Sequence, residues 1–478
     1  MKVSLVVAPY NIILDCYGAD ESKTGKADYG YWIPLGMGNL ASSILEAGHK
    51  AEIIDCGPHN YTYEDVKRIL KQSKPDAIGV SANIAIQRQS KTLVQSLREE
   101  FDVPIFMGGG LATTFPEKTL KENPHLSFIL VGEAEKTISL ALEALEGKKS
   151  FKDIPGIGYE ENGKIIITEP IKPVDNLDEI PPPAWHLFDI PVYKPLPLQH
   201  VKLPVVPYLS SRSCPYGKCN FCFQSGISAQ KYRRHSVDRV INDFKILTEK
   251  FKVKEVAFWD DIFFVNEKWV LEFCRRLKEE KIDIPWQALA YGNTVTRKMI
   301  EAASRTGCWN IAMGYESGSP EVLKISNKGT NIQQLKEVTK IIHDNKITTR
   351  GYFVVGLPGD SPEGARKTSQ FAIDMDLTFA QFNVLFPEYG TKLYFDALNK
   401  GMISDDYTTR TGASYVPEGF KDAQEVGRAA RLAYKRFYMR PGYVLKHAVR
   451  ALTHPSLIPG YFKAVPYILG VSFNKKNY

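Results

Sequence analysis

Cys214-Pro-Tyr-Gly-Lys-Cys-Asn-Phe-Cys222, entered through Tyr208-Leu-Ser-Ser-Arg-Ser213, is the stretch from which the rest of the chain is read. Three cysteines at spacings x4 and x2, on a loop after the apolar run Val205-Val-Pro-Tyr-Leu209, can place three thiolates on three irons of a [4Fe–4S] cube. The fourth iron is then open. An open iron can chelate a small molecule, and Phe221, just before the last cysteine, offers an apolar shelf for a flat ring. The competing reading is a zinc knuckle, which needs a fourth Cys or His at matching spacing. No such residue stands between Phe223 and Arg234.

Downstream, apolar runs at 205–209, 255–259, 286–290, 309–313, 351–355 and 379–385 alternate with helical patterns such as Val237–Phe251, Lys268–Glu280 and Ile332–Asn345. Six βα units with the cysteines after the first strand fit the partial (βα)6, TIM-type barrel of the radical S-adenosylmethionine (SAM) enzymes, which the chain resembles here. In barrels of this type the chemistry sits at the carboxyl ends of the strands. The usual cysteine spacing of these enzymes is x3 then x2, so Gly217-Lys218 carries one extra residue in the first interval, which lengthens the loop without removing a ligand.

The resemblance implies roles for residues at the predicted strand ends. Trp259-Asp-Asp261 closes the second strand, and in the family the acidic stretch here, Asp260 and Asp261, lies near the methionyl amino group of SAM. Gly314-Tyr-Glu-Ser-Gly-Ser-Pro-Glu-Val-Leu-Lys324 resembles the fourth-strand motif, whose Glu316 and Ser317 approach the cofactor. Val355-Gly-Leu-Pro-Gly359 resembles the fifth-strand motif, where Gly356 lets the backbone meet adenine. Plainer readings stand beside these: Asp260 as a helix N-cap and Glu316 as the partner of a nearby lysine. Glu388-Tyr-Gly-Thr391 departs from the Pro-Gly-Thr of relatives, close to where the barrel is expected to meet substrate.

Before the barrel, runs at 3–8, 51–56, 77–82, 104–107 and 128–132 are separated by helix-like segments at Gly38–Ala47, Tyr63–Gln72, Gln87–Glu100 and Glu135–Glu146. Strands apolar throughout and alternating with amphipathic helices predict a parallel, doubly wound (Rossmann-like) sheet over 1–150. Such sheets bind ligands at the carboxyl ends of their strands. Here those ends carry Ser81, Gly108, Gly109, Gly110, Gly132 and Glu133, small or backbone-exposing residues that let a large planar ligand come close. Together with Pro34-Leu-Gly-Met-Gly-Asn-Leu40 and Pro75-Asp-Ala-Ile-Gly-Val-Ser81, they resemble the cobalamin-binding domain that precedes many radical SAM barrels. The Asp-x-His-x-x-Gly pattern that ligates cobalt in other B12 proteins is absent, since Asp55-Cys-Gly-Pro-His59 has the wrong spacing. The resemblance therefore implies cobalamin held base-off without a histidine.

Residues 156–168 predict a hairpin turning at Asn162-Gly163. Pro170, Pro173, Pro181-Pro-Pro183 and Pro191 then predict an extended linker, so that hairpin and linker occupy 151–203, the barrel 204–398 and a C-terminal lobe 399–478. In that lobe Val426, Ala430, Ala433 and Phe437 recur at helical spacing, Pro441 interrupts, and Leu445, Ala448, Val449 and Leu452 resume it. Two amphipathic helices follow.

The net charge of +7 is unevenly placed. From Arg428 to Tyr478 there are ten Lys or Arg and no Asp or Glu, leaving 51 basic against 54 acidic residues elsewhere. The two helices can pack their apolar faces on the barrel with basic faces solvated, or the lobe can rest on anionic headgroups as a peripheral membrane contact. No nucleic-acid recognition motif is present.

Three of the seven cysteines are in the motif, and Cys16, Cys56, Cys274 and Cys308 are scattered without pairing pattern, as suits a reducing, cytoplasmic setting. Met1-Lys-Val-Ser-Leu-Val-Val-Ala8 is too short for a signal h-region, and no run reaches the length of a membrane span.

What the resemblance implies is an enzyme in which a reduced [4Fe–4S] cluster cleaves SAM to a 5′-deoxyadenosyl radical, while cobalamin delivers a methyl group to an unactivated carbon. A small-molecule or lipid substrate, tetrapyrrole-like or otherwise hydrophobic, and an electron donor such as flavodoxin or ferredoxin would be its partners. Alternatives are radical cyclisation or rearrangement without methyl transfer, tRNA methylthiolation, and a non-catalytic cobalamin or iron–sulfur module. Methylthiolation would call for three further cysteines near the N-terminus, where only Cys16 and Cys56 stand.

Overall fold

A computed structural model describes residues 1–11, 29–225, 230–404, 414–453, 458 and 460–462. Cys16, Tyr467 and Phe473 lie outside the described residues. The chain forms two compact units, the first containing the N-terminal strand and Tyr31–Lys194, the second running from Pro195.

In the first unit β1 (Lys2–Val7), α1 (Leu35–Glu46), β2 (Lys50–Asp55), α2 (Tyr63–Ser73), β3 (Ala77–Ser81), α3 (Gln87–Arg98), β4 (Ile105–Gly108), β5 (Phe128–Leu130) and α4 (Glu135–Leu145) alternate as the periodicity predicts. The sheet order is β2-β1-β3-β4-β5, all parallel, followed by the antiparallel pair β6 (Ile157–Glu161) and β7 (Lys164–Ile167). This is the flavodoxin-like order of the doubly wound class, with its switch point between β1 and β3. Each face is buried: Val3, Leu5 and Phe106 pack on one side, Val6, Ile78 and Ile105 on the other. α2 begins at a capping box in which Thr62 and Asp65 exchange bonds. Asn162 and Gly163 both take positive φ, 52° and 76°, as a type I′ turn requires.

The proline-rich stretch is more than a spacer. Trp185, Ile190 and Tyr193 are buried, Ala184 N–H donates to Gly38 at 3.0 Å, and Tyr193 Oη donates to Asp55 Oδ2 at 3.1 Å. Proline removes backbone donors but not side-chain area, so this segment straps the first unit as far as Lys194 without regular structure.

The second unit holds six parallel strands ordered as in the chain: β8 (Val205–Tyr208), β11 (Glu255–Phe258), β12 (Trp286–Ala290), β13 (Cys308–Glu316), β14 (Thr348–Val355) and β15 (Phe379–Val384). A two-residue ribbon, β9 (Ser211–Arg212) against β10 (Arg233–Arg234), brackets the cysteine loop. The outer helices are α5 (Val237–Glu249), α6 (Glu267–Glu279), α7 (Arg297–Ser304), α8 (Ile332–Asp344), α9 (Pro362–Asp374) and α10 (Lys392–Asn399). Ser236, Asn266, Thr296, Asn331, Ser361 and Thr391 cap them in turn. This is the partial (βα)6 barrel, with Phe258, Phe263, Phe273 and Trp286 filling one side of its wall.

Two further helices complete the unit. α11 (Ala423–Tyr438) buries Val426, Ala430, Ala433 and Phe437, the face its periodicity predicts. α12 (Pro441–Thr453) does not pack its aliphatic face on the barrel, one of the two arrangements its sequence allows: Val444, Leu445, Val449 and Leu452 are 51–78% exposed, while His447 is buried. Among the described residues no helix is long and apolar enough to cross a membrane.

Candidate functional site

β8 delivers the chain to Ser210 and Ser211, and both are held by one buried carboxylate. Ser210 Oγ donates to Asp260 Oδ2 at 2.7 Å, and Ser211 N–H and Oγ donate to Oδ1, the latter at 2.8 Å. Behind them Arg234 Nη2 donates to Ser210 Oγ at 3.1 Å, and its guanidinium lies 3.7 Å over the Trp269 ring. Burial raises the Asp260 carboxyl, against which Arg234 and the two serines act. Asp260 thus pins the entry to the cysteine loop and caps no helix. Asp261, next in sequence, is an exposed residue, yet the protein around its carboxyl and the charge of Asp260 push that group up to about 6, with a hydrogen bond to Gln224 opposing.

Within the loop the extra residue of the first interval has a structural counterpart. Gly217 adopts φ +55°, and its N–H points at Cys214 Sγ at 3.5 Å. Cys222 N–H donates to Cys219 O, and Ser225 Oγ donates to the carbonyls of Cys219 and Cys222, closing a tight turn around the last two cysteines. Phe221 is half-buried beside them. Among the described residues no three His, Cys, Asp or Glu converge on a single-ion position. A donor set of three thiols spread along one loop suits a cluster that takes one thiolate per iron. Burial pushes the Cys219 thiol up to about 12 and the Cys222 thiol to about 11, so at neutral pH metal binding releases their protons.

A second loop, 325–329, is laced to the first. Asn220 Nδ2 donates to Ile325 O at 2.9 Å and its N–H to Ser326 O at 3.1 Å; Tyr216 Oη donates to Asn327 O at 2.9 Å, and Asn327 Nδ2 to Lys218 O at 2.7 Å. Tyr216 packs on Tyr291 with ring centroids 5.3 Å apart. This lacing holds Lys328 beside the cysteines, its Nζ 2.7 Å from Glu316 Oε1. Burial would lower the lysine's pKa, but the Glu316 carboxylate outweighs it and holds the ammonium above its ordinary value.

Glu316 ends β13 in the left-handed region at φ +59°, and a Cβ at Gly314 would come within 2.3 Å of its Oε1. The pairing of Glu316 with a lysine, the plainer reading of that residue, is therefore present. Ser317 is buried and turned towards α9: its Oγ shares a bond with Thr368 Oγ1 at 3.2 Å and accepts from Ser319 N–H at 3.1 Å. Gly356 takes φ +89°, and its N–H is held by Asp360 Oδ2 at 2.9 Å. A Cβ there would meet Val426 Cγ1 at 3.0 Å.

In the first unit, Ser81, Gly108, Gly109, Gly110, Gly132 and Glu133 lie at the carboxyl ends of β3, β4 and β5. Gly109 runs at φ +125° against the Ala82 carbonyl, and Gly132 at φ +84° gives its N–H to Thr113 Oγ1 at 3.0 Å. Gly110 has only Ile84 Cδ1, at 3.9 Å, near the place of a Cβ. Gly108 and Gly109 sit against Leu130 and the Ala82 carbonyl, and Gly132 lies near Ile171, so the bare backbone at this edge is that of Gly110, where a flat macrocycle such as cobalamin would fit. His59 stacks on Tyr61 with centroids 5.0 Å apart.

Sequence reasoning did not single out Lys328, Asn327, Tyr216 or Arg234. The polar turn Ser326-Asn-Lys-Gly-Thr330, closely following Glu316, was the available signal for the first two.

The Radical SAM superfamily profile matches residues 208–372 and the B12 binding domain profile residues 25–142. An uncharacterized methyltransferase of Pyrococcus horikoshii is 32% identical, over 88% of this chain and 93% of that one. Anaerobic magnesium-protoporphyrin IX monomethyl ester cyclase of Rubrivivax gelatinosus is 24% identical, over 94% and 81% of the two chains. The fold is shared with the cobalamin-dependent S-adenosylmethionine radical enzyme OxsB, solved with aqua-cobalamin and S-adenosylmethionine: TM-score 0.72, 16% identity, 96% of this chain and 72% of that one.

Proposed function

Because the chain belongs to the B12-binding radical SAM family, we propose that it methylates an unactivated carbon of a hydrophobic substrate, lipid or tetrapyrrole-like. Its cofactors are a [4Fe–4S] cluster, SAM and cobalamin. When bound, the reduced cluster splits SAM to a 5′-deoxyadenosyl radical that takes hydrogen from a C–H bond, and cobalamin supplies the methyl group.

The chain's own part is binding, orientation and dryness. Cys214, Cys219 and Cys222 would hold the cluster. Lys328, an ammonium kept charged beside those cysteines by Glu316, suits the carboxylate of a ligand on the open iron. The amino-group role expected of Asp260 and Asp261 falls in this reading to Asp261, because both oxygens of Asp260 are occupied. Phe221 and Gly356 would border the nucleoside, and Glu316 and Ser317 would act through the walls they build. Ser81, Gly108, Gly109, Gly110, Gly132 and Glu133 would carry cobalamin against the sheet edge. An external donor such as flavodoxin or ferredoxin supplies the electron. The single observation that carries the reading is the lacing of the cysteine loop to the Lys328 loop.

The test is anaerobic reconstitution followed by turnover with SAM and methylcobalamin on hydrophobic candidate substrates. Methyl transfer gives a product heavier by one CH2, with both S-adenosylhomocysteine and 5′-deoxyadenosine. A product without added CH2 and no S-adenosylhomocysteine would point instead to cyclisation or rearrangement, the class of chemistry in the name of the Rubrivivax relative.

A further inference from the structure

The orientation of α12 is set by its polar and aromatic side chains. Tyr443 Oη donates to Thr378 O at 2.9 Å, the His447 ring packs on Tyr443 with centroids 4.1 Å apart and on Phe379 at 5.9 Å, and His447 Nδ1 bonds Tyr461 Oη at 2.7 Å. With those residues inward, Val444, Leu445, Ala448, Val449 and Leu452 must point away from the barrel. At 100° per residue they fill one arc of roughly 140°. Val444, Leu445, Val449 and Leu452 are 56%, 67%, 51% and 78% exposed. Phe462, next to the anchored Tyr461, is 76% exposed, and Leu432 on α11 is 52% exposed. Single exposed apolar residues are ordinary, whereas a continuous aliphatic helix face marks an interaction surface.

Charge identifies what this face meets. The ten basic and no acidic residues from Arg428 onward include Arg428, Lys435 and Arg436 exposed on α11 and Lys446 exposed on α12, the last paired with Asp376 at 2.6 Å. A second copy seated on the face would bring the same basic segment against itself, since a two-fold contact pairs like with like. A nucleic acid would satisfy the cations and leave the aliphatic arc in water. An anionic bilayer satisfies both, with the aliphatic arc in the headgroup–acyl boundary and the Lys and Arg side chains at the phosphates.

We propose that α12 and the exposed basic residues of α11 form a docking surface for anionic membrane, on which the enzyme rests while taking a hydrophobic substrate. The idea of a membrane-derived substrate rests on the proposed function; the docking itself does not.

The test uses the full-length, cluster-loaded protein with phosphatidylcholine vesicles and with vesicles containing added phosphatidylglycerol, at low and high salt. Binding to the anionic vesicles is expected to exceed binding to the neutral ones by at least about tenfold at low salt and to fall as salt rises. Leu445→Glu/Leu452→Glu, both at exposed sites, should lose that binding while keeping its iron content and circular dichroism. Equal or negligible binding to both vesicles would overturn the proposal. So would a wild-type dimer that the double variant converts to monomer without any vesicle binding, because a second copy would then be the occupant. SAM cleavage in the same samples reports on the enzyme reading independently of vesicle binding.

Discussion

Lys328 Nζ donates to Glu316 Oε1 at 2.7 Å, between side chains only 12% and 9% exposed, on a loop hydrogen-bonded to the cysteine loop. Removing the carboxylate leaves an ammonium buried without its partner. Glu316→Gln should therefore lower stability by about 3 kcal/mol and weaken SAM binding, with iron content retained. Gly314→Ala should act in the same direction, because its new Cβ would lie 2.3 Å from Glu316 Oε1. A misplacement of about 1 Å can cost on the order of a hundredfold in rate, so SAM cleavage in Gly314→Ala should fall, by up to that order. Denaturant titration, SAM titration calorimetry and product quantification read the three effects.

The two adjacent aspartates should separate cleanly. Asp260→Asn removes acceptors from Ser210 and Ser211 in a fully buried site, and is expected to cost about 1–3 kcal/mol of stability and to loosen the cysteine loop, seen as lower iron content. Asp261→Asn should leave stability and iron unchanged and raise the Kd for SAM. If Asp260→Asn raised the SAM Kd at unchanged stability and Asp261→Asn had no effect, the assignment would be reversed.

Asp55 gives a pH signature in the first unit. Burial pushes its carboxyl from 3.8 up to about 7, with Tyr193 Oη opposing the shift. The folded state keeps that proton longer than the unfolded state, so between about pH 4 and pH 7 the unfolded chain binds fewer protons. Stability from this group therefore falls as pH rises through that window. Asp55→Asn should flatten that dependence in urea unfolding followed across the range. An unchanged slope would remove Asp55 as its source.

The glycine ridge in the first unit makes a prediction about corrin. Gly110→Leu adds bulk where only Ile84 Cδ1 at 3.9 Å is near, so folding should survive while corrin retained after desalting drops severalfold. In the wild type, cobalt EPR should lack nitrogen superhyperfine splitting, as a base-off cobalamin without a histidine ligand requires. Nitrogen-ligated cobalt would contradict that part of the reading.

Much of this was legible in the chain because period and spacing are local properties. The strands of both parallel sheets follow from alternation, the Asn162-Gly163 turn from its dipeptide and the cysteine loop from its spacing, while the barrel came with the family resemblance. What was not legible depended on which distant group a side chain meets. The family resemblance makes Asp260 a ligand-facing acid, but Ser210 and Ser211, backed by Arg234, converge on it only after the ribbon closes. Lys328 gave no periodic signal, and its importance comes from Asn220, Tyr216 and Asn327 lacing two loops together. For α12 the spacing of Leu445, Val449 and Leu452 makes one face, but spacing does not say which way that face turns. The buried bonds of Tyr443 and His447 decided that, and proline content likewise hid the strap through Trp185 and Tyr193.

The most direct measurement is 5′-deoxyadenosine released from SAM by anaerobically reconstituted, reduced protein, wild type against Cys219→Ala, with iron counted in both. The account predicts a [4Fe–4S] cluster and steady 5′-deoxyadenosine release in the wild type, and loss of both in the variant. Wild-type release and iron content in Cys219→Ala, or no release from fully cluster-loaded wild type, would contradict it.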